Sequence, residues 1–348
     1  MESEQHESMD LFITHSTALH YLRTQSEGVH RRTVPFAGVE PESAETADRA
    51  GSAGSVSRAS RAARADRRLK LYDFSEVPDE TPLHLAVPSK PQRLRRAGIE
   101  CHLLEANRLP PQSFVPVSPG VYSASPELCF INLAGELPFL ALIELGFELC
   151  GSYSIDRSTD RGFADRQPLT SAARLAEYAR DASGLHGSAT ARRAARYVID
   201  GAASPKESQL AMLLTLPTRL GGYGFEKPQL NGAVDVPPSL QREFKAKHLY
   251  CDLYWPDHDV AMEYDSDQYH TGPEHNTHDS ERQTKLKRLG VEPISVTKDQ
   301  LYDANRFETV VKLVAQYTGR RLRIRSSTFL QRRWELRRAL FGRDRVEP

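Results

Sequence analysis

The chain has 348 residues, and its 46 Lys and Arg balance 46 Asp and Glu, so the formal net charge is zero. Hydrophobic residues make up 39% and charged residues 26%, an ordinary composition for a folded, water-facing chain of about two or three domains. A membrane span, a secretory leader and a cysteine-ligated zinc are excluded from the expectation: the apolar stretch 128–150 is interrupted by Glu136, Glu144 and Glu148, the opening MESEQHESMD is acidic, and Cys101, Cys129, Cys150 and Cys251 form no C-x-x-C pair and read as free thiols in a reducing cytoplasm.

Residues 11–23 (LFITHSTALHYLR) predict a short helix, with Thr14 or Ser16 as its cap and Ala18, Leu19 and Leu22 on its apolar side. Residues 40–66 carry almost no large apolar side chain, which predicts a disordered insertion ending in the basic run 58–70. From Pro82 the texture is globular. LHLAVPS, RRAGIECHLL and PGVYSAS read as three strands. Ser125-Pro126-Glu127 opens a helix with a cap, a first-turn proline and an acid, and the helical region continues to 149 with a break near Pro138. Residues 151–167 read as a loop, and 170–182 and 191–199 as helices.

A second texture begins at Ser204. It predicts a helix (204–216), strands (228–236, 248–255, 259–265), a helix (276–289), a strand (291–297) and a helix (299–317). An α/β fold follows, with an α+β N-terminal half and a C-terminal mixed sheet flanked by helices. The boundaries expected are a helical segment 1–39, a disordered basic linker 40–70, a domain 71–200, a second domain 201–318 and a basic tail 319–348.

The chemistry concentrates in HLYCDLYW-PDHD-VAMEYDS. With the turn at 256–259, Trp255 faces Val260 and Asp252 lies opposite Glu263. Alternation puts Tyr250 and Tyr254 on the Asp252 face, and Ala261 and Asp265 on the Glu263 face. Carboxylates so close repel unless something neutralises them, and a hard divalent cation is the simplest agent. From Asp252 to Asp279 there are eight acids and no Lys or Arg. Ser204-Pro205-Lys206-Glu207 reads as a capping box. Glu207 also falls on the apolar stripe with Leu210 and Leu214, where a carboxylate needs a partner that the strand acids and their metal could provide.

These residues resemble the PD-(D/E)XK nuclease core, and more narrowly the domains related to the very-short-patch mismatch-repair endonuclease. The similar elements are SPKES (204–208), CDLYWP (251–256), EYDS (263–266), His270 and the series Asp279, Arg282, Gln283, Leu286, Gly290. Asp265 stands where the wider superfamily has a lysine, Ser266 where a glycine is usual, and Gln283 where an aspartate is usual. The resemblance implies catalytic roles for Glu207, Asp252, Glu263, Asp265 and His270. Asp252, Glu263 and Glu207 would hold Mg²⁺ or Mn²⁺, and His270 would accept or relay a proton. Arg282 and Lys285 are candidates for phosphate contacts, and the tail adds Arg320, Arg321, Arg323 and Arg325.

Residues 11–30 and 80–150 more weakly resemble the abortive-infection AbiEi-like antitoxin and regulator domain, through ITHSTALHYL, LHLAVPS, RRAGIECHLL and the Ser125-Pro126-Glu127 helix. No N-terminal winged helix is visible in the sequence. The two resemblances together imply a divalent-metal-dependent DNA endonuclease in a defence, repair or toxin–antitoxin-like setting, cytoplasmic, with DNA and a possible protein partner. The alternative they leave open is a non-catalytic DNA-binding regulator on a nuclease-like scaffold. The zero net charge is compatible with either, because it is a cancellation: the tail 319–348 holds ten arginines against three acids, and the rest of the chain is net acidic.

Overall fold

The computed structural model describes residues 10–27, 29, 36, 82–95, 97–265, 273–322, 324 and 327–342, the side chains of 273–279 excepted. The insertion expected at 40–70, His270, Arg323 and Arg325 lie outside the described residues. Two compact units divide the chain: Met1–Leu142 with Ala173–Ala195, and Ile143–Ala172 with Arg196–Pro348. Both are built on mixed sheets flanked by helices, so the fold is α/β.

The first unit holds a five-stranded sheet of β1 (Leu11–Ile13), β2 (Leu83–Val87), β3 (Ile99–Leu103), β4 (Phe114–Ser118) and β5 (Val121–Ala124), in the order β3-β2-β1-β5-β4. Residues 11–13, expected as the start of a helix, instead form its central strand. Leu11, Phe12 and Ile13 are all buried, and Phe12 stacks on Tyr122 and meets Phe114 edge-on, so tertiary burial outweighs the local helical pattern. The helix α1 (His15–Arg23) begins only after Thr14. β4 was not foreseen because Pro116 interrupts it. Proline is tolerated there because β4 is an edge strand whose register shifts between Pro116 and Ser118. The helix α2 (Pro126–Leu133) starts where the sequence predicts, with Ser125 Oγ accepting the Leu128 N–H at 3.2 Å. Pro138 separates α2 from α3 (Phe139–Cys150), and α4 (Ala172–Asp181) and α5 (Ser188–Ala195) follow.

In the second unit the segment expected as a loop at 151–167 contains a hairpin, β6 (Tyr153–Ile155) and β7 (Phe163–Asp165). Buried Arg166 organises it, donating to the carbonyls of Tyr153 at 2.8 Å and Glu148 at 2.5 Å. The main sheet takes β8 (Gln229–Asp235), β9 (His248–Trp255), β10 (Val260–Asp265) and β11 (Glu292–Thr297) in the order β11-β10-β9-β8. The first three form an antiparallel meander, and α8 (Pro273–Arg288) crosses over to make β11 parallel to β10. Leu286 of that helix is fully buried in one cluster with Cys251, Ala261 and Val291. The helix α6 (Pro205–Thr215) supplies Leu210, Leu213 and Leu214 to the core, and the short α7 (Pro238–Phe244), unforeseen in the sequence, adds Phe244.

The helix expected at 299–317 is two, α9 (Lys298–Tyr302) and α10 (Ala304–Tyr317). Asp303 divides them, its carboxylate accepting the N–H groups of Asn305 and Arg306 at 2.7 and 2.9 Å. The expected basic tail contains a docked helix, α11 (Phe329–Phe341), burying Phe329, Leu336, Leu340 and Phe341. Gly221, at φ 90°, permits a close approach: a Cβ there would lie 2.2 Å from the Arg332 carbonyl oxygen. Among the described residues, no helix is long and apolar enough to cross a membrane.

Candidate carboxylate site

β9 and β10 are joined by Pro256–His258 and by Asp259, whose φ of 50° turns the chain back. The strands pair Val260 with Trp255, Ala261 with Tyr254 and Met262 with Leu253, the register expected from the sequence. The paired residues end at Met262 and Leu253, and Asp252 and Glu263 are the next residues on the two strands. Trp255 and Tyr254 are core residues, and Tyr250 is 58% exposed.

The acids brought together here are not bare. Asp252 Oδ2 accepts the Tyr264 N–H at 2.7 Å. Glu263 Oε1 accepts from Arg282 Nε at 2.6 Å and pairs with its other guanidinium nitrogen at 2.5 Å. Arg282 also donates to the Tyr250 carbonyl. The residue expected to meet a phosphate is therefore spent on a carboxylate of its own chain. Lys285 rests near the Phe244 ring, its Nζ 5.9 Å from the ring centroid. Arg320 donates to the Gly224 carbonyl and lies 5.0 Å from the centroid of the Phe225 ring, while Arg321 is exposed.

Glu207, 7% exposed, sits at the start of α6. Its backbone N–H donates to Ser204 Oγ at 3.2 Å, as a capping box requires. The reciprocal bond lands one residue earlier than the motif predicts: Oε2 accepts from Ala203 N at 2.7 Å and from Asn231 Nδ2 at 2.9 Å, and Oε1 from Ser204 Oγ at 2.8 Å. Asn231 adopts φ 49°, a left-handed backbone that a side chain with local hydrogen bonds tolerates. The partner that the apolar stripe requires is thus an N–H and amide cradle.

Burial, and next the Glu207 and Glu263 carboxylates, push Asp252 up to about 7, against the pull of the Tyr264 bond and Arg282. Burial likewise raises Glu207 in spite of its three bonds. Burial, and then Glu263, push the Cys251 thiol up to about 12, which makes it an inert packing group. Three carboxylates thus share one electrostatic neighbourhood with one guanidinium. Asp252 can take up or release a proton near neutrality, and its Oδ1, which has no hydrogen-bond partner among the described residues, is open to a cation. Among the described residues they are not drawn into a group with every ligand atom within 4.8 Å of the others. The one such group is His15, His84, His102 and Glu136, in the first unit.

Asp265 is half-buried at the end of β10. Sequence reasoning did not anticipate Asn231, the Tyr264 N–H or the histidine group. The histidines of the last lie far apart in sequence, His84 and His102 18 residues from each other, and no spacing motif joins them to His15. No family model, no curated protein and no solved structure matches the chain.

Proposed function

We propose that the second unit is a divalent-metal-dependent phosphodiester hydrolase acting on DNA, with Asp252 and Glu263 as the principal Mg²⁺- or Mn²⁺-holding pair. The observation that carries this reading is the gathering of Asp252 and Glu263, on adjacent strands of a mixed sheet, with Glu207 at the start of α6 close enough to act on Asp252, whose carboxyl is pushed up first by burial and then by these acids. A bound Mg²⁺ would supply an activated water and offset charge on the phosphoryl oxygens. The chain's own contributions are separate. Deprotonated Asp252 offers its Oδ1, while the Tyr264 N–H fixes the carboxylate through Oδ2. Glu207 orients the α6 start against β8 through Ala203 and Asn231 and adds negative potential. Arg282 holds Glu263 until a cation or a phosphate competes for one of them. Asp265 and His270 complete the proposed set, with His270 as proton acceptor or relay. Arg321, Arg323, Arg325 and Lys285, with Arg282 and Arg320 where they release their present partners, would contribute phosphate contacts. The setting proposed is cytoplasmic, in defence or repair, with a possible protein partner of a toxin–antitoxin-like system.

The test is nicking of supercoiled plasmid, with RNA in parallel, by wild type and by Asp252→Ala, with Mg²⁺ or Mn²⁺ and with chelator. Metal-dependent cutting lost in the variant is the expected result. No cutting by wild type with either metal overturns the reading. One observation favours a second reading, a DNA-binding regulator on a scaffold that does not cut. Glu207 accepts three hydrogen bonds and Glu263 is paired with Arg282, so both acids have partners without a metal. Salt-sensitive DNA binding without cutting is its signature.

A further inference from the structure

A second cluster of chemically capable side chains lies in the first unit, and it does not depend on the reading above. His15 opens α1, His84 lies on β2, His102 on β3, and Glu136 follows α2. In the parallel register of β2 and β3, His102 stands opposite Ala86, two residues beyond His84, so the two histidines share a face of the sheet. Their rings meet through His84 Nδ1 and His102 Nε2 at 2.8 Å. The His15 ring stacks on that of His102 with centroids 3.6 Å apart, and His15 Nε2 lies 3.6 Å from Glu136 Oε1.

His15 is held in place at some cost. Its φ of 50° is a left-handed conformation in a residue that is not glycine. The surrounding bonds overdetermine it. Thr14 N donates to the His84 carbonyl at 3.0 Å, and His84 N donates to Thr17 Oγ1 at 2.9 Å. Asn132 Nδ2 donates to Thr14 Oγ1 at 2.5 Å. These bonds bolt the start of α1 to β2 and α2. They deliver an imidazole that is 7% exposed and whose Nδ1 is buried with no hydrogen-bond partner. Burial, then His102 and His84, lower the His15 pKa to about 3, and burial also lowers His102, so these rings stay neutral with lone pairs to give. Strain, an orphaned ring nitrogen and three stacked imidazoles have no common explanation in packing alone.

We infer that His15, His84, His102 and Glu136 form a binding site for a first-row transition-metal dication, Zn²⁺ being the best fit, that clamps the start of α1 to β2, β3 and the segment after α2. One ligand atom from each of the four lies within 4.8 Å of all the others. Zinc–nitrogen bonds of about 2.1 Å set tetrahedral ligands about 3.4 Å apart, so the donors need to draw in by roughly 1 Å. Three imidazoles and one carboxylate suit zinc, cobalt, nickel or copper, whereas Mg²⁺ and Ca²⁺ prefer all-oxygen sets. Four protein ligands close the coordination shell, the pattern of a structural site.

The experiment is titration of the full-length, chelator-stripped chain with Zn²⁺, followed by calorimetry and thermal melting, and with Co²⁺, followed by visible absorption. One equivalent of Zn²⁺ binds with at least micromolar affinity and raises the melting temperature, and Co²⁺ gives the intense bands of a four-coordinate site. His102→Asn weakens Zn²⁺ binding by about 100-fold or more and abolishes the thermal shift, and Glu136→Gln, at the exposed end, weakens binding by about 10-fold. The inference is overturned if wild type binds no equivalent, or if His102→Asn keeps both binding and the thermal shift. Should His102→Asn not fold, the Co²⁺ spectrum of wild type and its change in Glu136→Gln decide: four-coordinate bands that shift support the site, and their absence or indifference refutes it. Because every measurement here is made without nucleic acid, its failure and the failure of the hydrolase reading are distinguishable.

Discussion

The two clusters of metal-capable side chains face the same problem and meet it differently. In the second unit, acids that would repel one another are satisfied from within the chain. Arg282 pairs with Glu263, backbone and side-chain donors bond to Glu207, and Asp252 can take a proton near neutrality. In the first unit, three imidazoles face one another with one hydrogen bond between two of them and an orphaned nitrogen on the third. Carboxylates can be paired by the many N–H and guanidinium donors of a protein. A set of clustered imidazoles offers ring nitrogens for which the chain around them provides few partners. Proximity alone therefore does not rank candidate metal sites. The partners already in place do.

The largest expected effect probes the acidic cluster directly. Asp252→Ala lowers Mg²⁺-dependent plasmid nicking by about 10³-fold or more, because it removes a direct metal-holding group at the cluster's centre. Zinc loading of the histidine cluster is unchanged in the same variant. Loss of zinc binding together with nicking would show that the two clusters are not separate sites.

The second prediction concerns pH. Asp252 is raised to about 7 in the folded chain from an ordinary value of 3.8, so between these limits the folded state holds a proton that the unfolded state has released. Stability of the metal-free protein therefore falls as pH rises through that window and is highest below it. Allowing for solvent screening at a group that is only partly buried, the loss is about 1–2 kcal/mol, read by urea unfolding with chelator present. Asp252→Asn, neutral at every pH, removes that part of the slope. An unchanged slope in the variant would mean that the acids do not share one field.

How much of this was legible in the sequence follows from the range of the forces involved. The register of β9 on β10 is local: a four-residue turn and alternating apolar residues define it, and the observed pairs agree. The start of α6 was equally readable, since Ser204, Pro205 and Glu207 lie within four residues. The partners of the acids were not. Asn231 reaches Glu207 on α6 from the strand β8, and Arg282 reaches Glu263 from the crossover helix α8. The charge pattern predicted a conflict at Asp252 and Glu263 and assigned a metal to it, when an arginine of the same chain already answers half of it. β1 was misread because Leu11–Ile13 owe their conformation to burial between two strands far away in sequence. The arginine-rich C-terminal segment looked like a free tail because charge count conceals Phe329, Leu336, Leu340 and Phe341 on one side of a helix. Arg337 is itself buried there, donating to the Leu301 carbonyl.

A smaller effect separates Glu207's structural work from any chemistry. Ser204→Ala removes the cap of α6 and one of the three donors to Glu207, and costs about 1 kcal/mol of unfolding free energy in urea. If Glu207 mainly builds the site, the variant loses stability while retaining nicking at moderate temperature. A loss of nicking far beyond the loss of stability would instead make Glu207 a direct participant.

The smallest expected effect discriminates best between the two clusters. Arg282 is the only cation paired with the acidic cluster among the described residues, and its side chain is 37% exposed, so the lost ion pair costs the fold little. Arg282→Gln leaves Glu263 unneutralised while keeping a polar group of similar reach. Mg²⁺ affinity then rises by about three- to tenfold, because a cation no longer competes with a positive charge for the same carboxylate. Calorimetric titration with Mg²⁺ at pH 8, where Asp252 is ionised, measures this. DNA affinity falls in the same variant if Arg282 also serves phosphate, so tighter metal binding with weaker DNA binding is the signature of an arginine shared between the two. Mg²⁺ affinity that is unchanged or weaker would mean that Arg282 supports the metal-holding geometry rather than occupying it. The acids would then resemble the histidine cluster: groups whose arrangement is incomplete until an external cation arrives.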